Sequence, residues 1–374
     1  MATIARLSIT GLRNLAQVEL YPSPGINLVF GSNGAGKTSL LEALYMLGVG
    51  KSFRNHQIRP VIADGAQKLT LFAETSEGDS LGVERNPQGS PEIRLNGKPA
   101  ANLADLSYAL PVQLINTDTL NILEGAPQER RRFLDWGVFH VEHGFLQAWK
   151  RARLALRQRN ALLKQGAPHR EIEPWSQSLA QAGNDVEIFR ASYMEMLSAQ
   201  FHALLADVQG LPAGPDGVNN ITLDYRCGWN QALGLDVQLK ESLDKDRRQG
   251  FTSAGPHRAD IIFRSAGKEL ASIYSRGQLK LVVCLLKIAQ AKLLFAETGK
   301  RGVFLVDDLP AELDASNRGF VCRQLKLLGA QTFMTSIDQE PLYTQLVEQG
   351  IGFGSKEGGL FHVKHGIIMP FQPE

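Results

Sequence analysis

The chain has 374 residues, 43% of them hydrophobic, and 40 basic side chains stand against 38 acidic ones, a formal net charge of +2. That length accommodates two domains, and the charge balance argues against a chain that binds nucleic acid over its whole surface while leaving room for a local basic patch. Cys227, Cys284 and Cys322 are isolated and form no CxxC pair, so reduced thiols and a cytoplasmic location are expected. The start MATIARLSIT has no signal-peptide core, and no apolar run approaches the ~18–20 residues of a membrane span, so no membrane partner is expected.

The run INLVF (Ile26 to Phe30) is predicted as a strand, and GSNGAGKT follows it directly. This is G-x-x-x-x-G-K-[ST], with Gly31, Gly36, Lys37 and Thr38 fixed and Ser32, Asn33, Gly34 and Ala35 between them. Glycines let successive N–H groups turn inward as an anion nest. A helix predicted from about Lys37 to Leu47 adds the positive end of its dipole. The pattern is that of a nucleoside triphosphate site: Lys37 reaches the β- and γ-phosphates, and the Thr38 hydroxyl ligates Mg²⁺. An ordinary glycine-rich turn is the competing reading.

Lys51, Ser52 and Arg54 form a basic loop after that helix, either facing DNA or merely solvated. Gln113, in LPVQLI, is a candidate metal-sensing glutamine or a buried strand residue. Arg130, Arg131 and Arg132 either add positive charge or pair with Glu124, Glu129 or Asp135. Lys150, Arg151, Arg153, Arg157, Arg159, Lys164 and Arg170 form a basic run, without one acidic residue from Gly144 to Arg170. Phe145, Trp149, Ala152, Leu156 and Leu163 recur at helical spacing, and after KQGAPHREIEP the run Trp175, Leu179, Ala182, Val186, Phe189, Tyr193, Met196 alternates four and three. That is a heptad seam. It predicts an antiparallel helical hairpin or two helices of an ordinary helical subdomain. Lys150, Arg153, Arg157 and Lys164 fall near one another on the first helix, as a DNA-binding stripe or a solvated face. Six such cations on phosphates would give a log–log salt slope of about −5. Residues 207–250 carry no readable role.

His257 and Arg258, in SAGPHRADI, read equally as phosphate or DNA contacts and as a structural turn. In YSRGQLKLVVCLL, Ser275 can cap a helix starting near Gln278, leaving its hydroxyl toward an anion. GVFLVDDLPAELD places Asp307 and Asp308 at the carboxyl end of the buried run Val303 to Val306. Asp307 fits a Mg²⁺ ligand and Asp308 the group that polarises an attacking water. The strand in QTFMTSID follows without a histidine, which leaves Thr335 or Ser336 as γ-phosphate contacts or as a plain strand end.

The order of phosphate loop, long insert, S-x-G-Q helix and acidic strand resembles ABC-type ATPase heads. LRNL (12–15), GVGKSFR (48–54), ERRRFLDWGVFH (129–140), SAGPHRADI, SRGQLKL and DDLPAELD together resemble the RecF family of bacterial recombination mediators. The resemblance implies an α/β fold: an SMC-like ABC-type P-loop ATPase head from 1–118 plus 252–374, with an inserted helical, coiled-coil-like arm at 119–251. It implies an ATP-dependent homodimer in which Ser275, Gly277 and Gln278 of one copy close the ATP site of the other. It further implies binding to single-stranded and double-stranded DNA at gaps and junctions, RecR and RecO as partners, and assistance to RecA loading and SOS induction. Asp308 stands where most ABC proteins carry Glu, so hydrolysis is expected to be slow. An ABC transport ATPase, a small-molecule kinase and a non-hydrolysing DNA clamp are the alternatives.

Overall fold

The computed structural model describes residues 3–208, 211, 220–309, 313–354 and 357–372. Residues 310–312 of the DDLPAELD stretch lie outside them, as do 209, 210 and 212–219. Among the described residues, eight strands precede the helical region: β1 (Ile4–Leu12), β2 (Leu15–Leu20), β3 (Ile26–Phe30), β4 (Leu69–Thr75), β5 (Ser80–Arg85), β6 (Glu92–Leu95), β7 (Lys98–Pro99) and β8 (Val112–Ile115). Three follow it: β9 (Ile221–Arg226), β10 (Asp260–Ser265) and β11 (Lys268–Glu269). Four close the chain: β12 (Val303–Val306), β13 (Thr332–Ser336), β14 (Gly358–Lys364) and β15 (Ile367–Pro370). Contacts divide the chain into two compact units, Met1–Thr119 with Lys280–Glu374, and Leu120–Leu279.

The first unit holds two six-stranded sheets. One is antiparallel, in the order β2-β1-β4-β5-β6-β7. Its inward face follows a period of two, as in β4, where Leu69, Leu71 and Ala73 are buried between half-exposed neighbours. The other sheet runs β15-β14-β3-β13-β12-β8. Here β14, β3, β13, β12 and β8 pair in parallel, and β15 returns antiparallel to β14. Its central strands β3, β12 and β13 are buried at every residue, which is why they read as continuous apolar runs. The helix Lys37–Val49 shares one hydrophobic core with both sheets through Leu40, Leu41, Leu44 and Leu47. Covered from both sides, it carries apolar residues almost all round instead of on one stripe.

The second unit is built on the helices Phe145–Lys164 and His169–Leu205. A turn at 165–168 reverses the chain, so the second helix begins at His169, earlier than the polar run through 174 suggests; Pro174 lies inside it. The seam is present. Phe145, Ala152, Leu163, Leu179, Ala182, Val186 and Tyr193 are buried. The hairpin is not free on its other side. Ile172, Ser176, Gly183 and Leu197 are also buried, and a Cβ on Gly183 would meet Leu235 at 2.7 Å. Strand β10 pairs with β9 and β11, which ties 260–269 to 221–226 and brings the contact boundary to Lys280.

Arg159 shows how far one-dimensional charge reading misleads. It belongs to the basic run, yet it is 0% exposed. Its guanidinium meets Asp246 at 2.8 Å, Ser176 at 2.9 Å, Thr252 at 2.7 Å and the Leu239 carbonyl at 3.3 Å. Asp246 is equally buried, so removing one partner strands a charge without solvent. Asp246→Asn should cost about 3–5 kcal/mol in urea denaturation. The apolar pair Arg159→Met with Asp246→Leu should recover part of that. A single-variant loss below about 1 kcal/mol would contradict the assignment.

Candidate nucleotide-binding site

Between β3 and its helix, Asn33, Gly34 and Gly36 of the loop line a cavity of about 470 Å³, together with Arg13, Lys37, Thr38, Asp307 and Asp308, while Gly31, Ser32 and Ala35 stand outside its lining. Gly36 caps the helix at φ 124°, a left-handed angle that favours glycine. At Gly31 a Cβ would meet the Val363 carbonyl oxygen at 2.2 Å, so the loop is pressed against β14. Lys37 Nζ donates to the carbonyls of Gly31 at 2.6 Å and Ser32 at 3.0 Å. Burial pushes its ammonium pKa down, against the opposing pull of Asp308 and Asp307.

The acidic strand end arrives from the far side of the sequence. Thr38 Oγ1 donates to Asp307, 3.2 Å from either carboxylate oxygen. Thr335 Oγ1 donates to Asp307 Oδ1 at 2.7 Å and accepts the Asp308 N–H at 2.8 Å. The Asp307 N–H is held by the Ile115 carbonyl at 2.9 Å. Asp308 has φ 50°, uncommon for a residue other than glycine, at a cost of about 1–3 kcal/mol. A hydroxyl and a carboxylate this close are hard oxygen donors that suit Mg²⁺, which takes one or two carboxylates beside waters and phosphates. No cluster of three or more His, Cys, Asp or Glu able to hold a metal by itself exists among the described residues.

Three features were not anticipated. Asn14 Nδ2 donates to the carbonyls of Gly34 at 3.1 Å and Ala35 at 3.0 Å, and its Oδ1 accepts from Ser39 at 3.0 Å. On the other flank, the Gly366 N–H donates to the Ala35 carbonyl at 2.9 Å. Glu42 is 0% exposed and holds both Arg13 and the Ser52 hydroxyl. Arg54 approaches the same carboxylate at 3.9 Å and lines the cavity. The only sequence trace of Arg13 and Asn14 was the short LRNL stretch. Gln113 lies elsewhere than at the expected metal position. It pairs with Phe304 in the middle of β8, is 2% exposed, and neither side-chain polar atom has a hydrogen-bond partner among the described residues. The cavity wall on that side is Thr117. Ser336 spends its hydroxyl on the Asp338 carbonyl at 2.6 Å.

The remaining sequence candidates belong to the second unit and line no part of this cavity. The helix Arg276–Thr298 starts two residues before the expected Gln278. Ser275 N–H donates to Gln278 Oε1 at 2.9 Å, and Gln278 N–H to Ser275 Oγ at 3.4 Å, a reciprocal capping box. Ser275 and Gly277 are exposed, with nothing within 4 Å of a Cβ placed on Gly277. Lys150, Arg153, Arg157 and Lys164 are all exposed, and no ion pair is recorded for any of them among the described residues. Arg151 instead pairs with Asp185 at 2.7 Å, Arg130 with Asp260 at 2.6 Å and Arg132 with Glu129 at 2.7 Å. His257 donates from Nε2 to the Thr252 carbonyl at 3.0 Å.

The chain matches the RecF/RecN/SMC N terminal domain family over residues 3–359. It is 43% identical over 373 residues to the DNA replication and repair protein RecF of Stutzerimonas stutzeri (strain A1501), covering 98% of this chain and 97% of that one. The RecF of Pseudomonas aeruginosa (strain UCBPP-PA14) is 43% identical over 377 residues, with the same coverage. This chain belongs to the RecF family. A solved structure of the recombination mediator protein RecF-ATP in the RecFOR pathway superimposes with a TM-score of 0.84 at 22% identity, over 99% of this chain and 98% of that one. An Smc head bound to the C-winged helix domain of ScpA gives 0.59 at 16% identity, over 99% of this chain and 98% of that one. The fold is therefore an SMC-like ABC-type ATPase head with helical elements inserted in the chain.

Thr335 is the residue through which β13 sets the acid pair. Thr335→Val keeps the shape and removes both hydrogen bonds. Phosphate release should fall about tenfold or more, for a loss of roughly 1–3 kcal/mol, while the melting temperature changes little. Unchanged turnover in a steady-state phosphate assay would show that Asp307 and Asp308 are positioned without it.

Proposed function

We propose that this chain is an ATP-gated DNA clamp of DNA replication and recombinational repair, cytoplasmic, acting as a homodimer at single-stranded, gapped and junction DNA. The observation that carries the reading is the contact of Thr38 with Asp307 across a complete phosphate loop. Membership of the RecF family over nearly the whole length supports its setting. RecR and RecO are the proposed partners, and RecA loading and SOS induction the proposed outcome.

The head is the unit that contains residues 31–38 and 307–308, and the helical unit is the DNA-binding arm. The loop N–H groups and the helix dipole bind the phosphates. Lys37, released from the Gly31 and Ser32 carbonyls, turns to the β- and γ-phosphates. Held by Thr38 and Asp307, Mg²⁺ would neutralise phosphate charge. Asp308 orients the attacking water and takes its proton. Its carboxylate is one methylene shorter than Glu and its backbone is fixed by Thr335, so turnover is slow, as suits a timed switch. Ser275 and Gly277 of a second copy close over the γ-phosphate. ATP then favours the closed dimer by differential affinity, and its hydrolysis releases it.

Fluorescence anisotropy with single-stranded, duplex and gapped DNA tests the clamp. ATP should tighten binding, Lys37→Ala should abolish that gain, and Asp308→Asn should prolong the ATP-bound dimer. DNA binding indifferent to ATP would defeat the gating; ATP-strengthened binding without phosphate release would make the chain a non-hydrolysing clamp.

Arg151 and Arg159 of the same basic run are committed to Asp185 and Asp246, so the phosphates are left to the four cations of the stripe. The salt slope on single strands should be about −3, and each Lys or Arg→Ala change among Lys150, Arg153, Arg157 and Lys164 should flatten it by about 0.7. A slope unmoved by the four changes would place DNA on another surface.

A further inference from the structure

The helical unit contains a cavity that the nucleotide site does not use. Its volume is about 230 Å³, below the ~300–1,000 Å³ of pockets that take drug-sized ligands, so it suits one ring system. Trp149, Arg153 and Leu156 line it from one face of the helix Phe145–Lys164, spaced by four and three. Val186 and Arg190 line it from the facing helix, and Pro256 and His257 from the short turn Pro256–Arg258.

The polar groups around it are arranged unequally. Arg190 is 2% exposed and fully committed: its Nε and Nη2 reach Asp135 at 2.8 and 3.0 Å, and its Nη1 reaches the Pro256 carbonyl at 2.8 Å. The Trp149 side chain is a further neighbour of Asp135 that favours its charged form, with the indole beside the cavity. Arg153 is the opposite case. It is exposed, lies 5.0 Å over the Trp149 ring and has no carboxylate partner among the described residues. Lys150 and Arg157 flank it on the same helix, equally exposed. With Nε2–H given to Thr252, neutral His257 keeps a lone pair on Nδ1, which is buried without a partner among the described residues. Burial pushes that imidazole down to about 4, so it is neutral at physiological pH.

An aromatic ring at the wall, an apolar slot of one-ring size and cations at its side are the elements of a stacking platform for an unpaired base. An entirely structural role would not require the cations to lack counter-charges. We propose that this cavity takes the base of an unpaired DNA nucleotide, stacked beside Trp149, while Arg153, Lys150 and Arg157 hold the adjoining phosphates. The inference rests on the DNA-binding reading above and adds to it a way of telling strands. A base in duplex must leave its stack to enter, whereas one at a gap or a single-stranded end is already free. Stacking tolerates every base, so no sequence preference is required.

The test compares a labelled oligothymidine with an abasic deoxyribose-phosphate strand of equal length, by anisotropy at fixed salt with ATP present, on the full chain. The parent should bind the thymidine strand about tenfold tighter than the abasic one. Trp149→Ala should weaken the thymidine complex about tenfold, to the level of the abasic one and within the range of one stacked base, and leave the abasic complex unchanged. Trp149→Phe, which keeps a ring, should retain most of the affinity and so separates stacking from misfolding. Equal binding of both strands by the parent overturns the base pocket and leaves DNA binding standing. An equal loss on both strands in Trp149→Ala overturns it too. Binding of neither strand removes the DNA reading and the pocket with it.

Discussion

The contact between Thr38 and Asp307, 269 residues apart in sequence, is the constraint on which the rest of this molecule depends. It exists because β13 pairs with β3 on one side and with β12 on the other, all in parallel. Parallel neighbours end at the same edge of a sheet, where open α/β folds place their ligands. The register sets Thr335 opposite Val29 and Met334 opposite Val306. The hydroxyl that holds both acids thus comes from the strand between the two motifs. A slip of one residue in either pairing would turn Thr335 to the other face and leave Asp307 without its partner.

This sheet order also explains the architecture of the chain. Strand β8 lies at the edge beside β12, yet the Leu120–Leu279 unit separates them in sequence. Everything from the end of β8 to the return near Lys280 is an excursion that this sheet tolerates because β8 and β12, the strands before and after it, are paired neighbours. The excursion is held by its own devices: a heptad seam on one face of the hairpin and the buried Arg159–Asp246 network on another. In the function proposed above, ATP chemistry and DNA contact would occupy separate units, and the proposed nucleotide-dependent dimer would couple them.

The parts legible in the sequence are those whose backbone dictates their residues. The phosphate loop needs glycines at fixed spacing, buried parallel strands need continuous apolar runs, and the helical seam needs its alternation of four and three. Each of these was readable. The antiparallel sheet was not anticipated, although Leu69, Leu71 and Ala73 carry its alternation. What could not be read depends on partners distant in sequence. Arg159 resembles its neighbours on the basic helix and differs only because Asp246 comes to meet it. Asn14 becomes a brace of the phosphate loop only once β1 is laid beside it. Gln113 fails as a metal contact because the register of β8 on β12 buries it short of the strand end, a fact of sheet geometry and not of composition. Asp308 was legible as an acid, but not its left-handed backbone or its tie to Thr335.

The central claim is that each ATP site is completed by a second copy, and subunit mixing tests it most directly. Lys37→Ala disables the phosphate loop and Ser275→Arg blocks the contact offered to the partner, so each variant alone should neither dimerise with ATP nor release phosphate. Mixed in equal amounts, they can form a dimer in which one site is intact. The account predicts that mixing restores ATP-dependent dimer mass in light scattering and a measurable fraction of turnover. A mixture as inactive as its components, or a Ser275→Arg variant that dimerises and turns over normally alone, would contradict it.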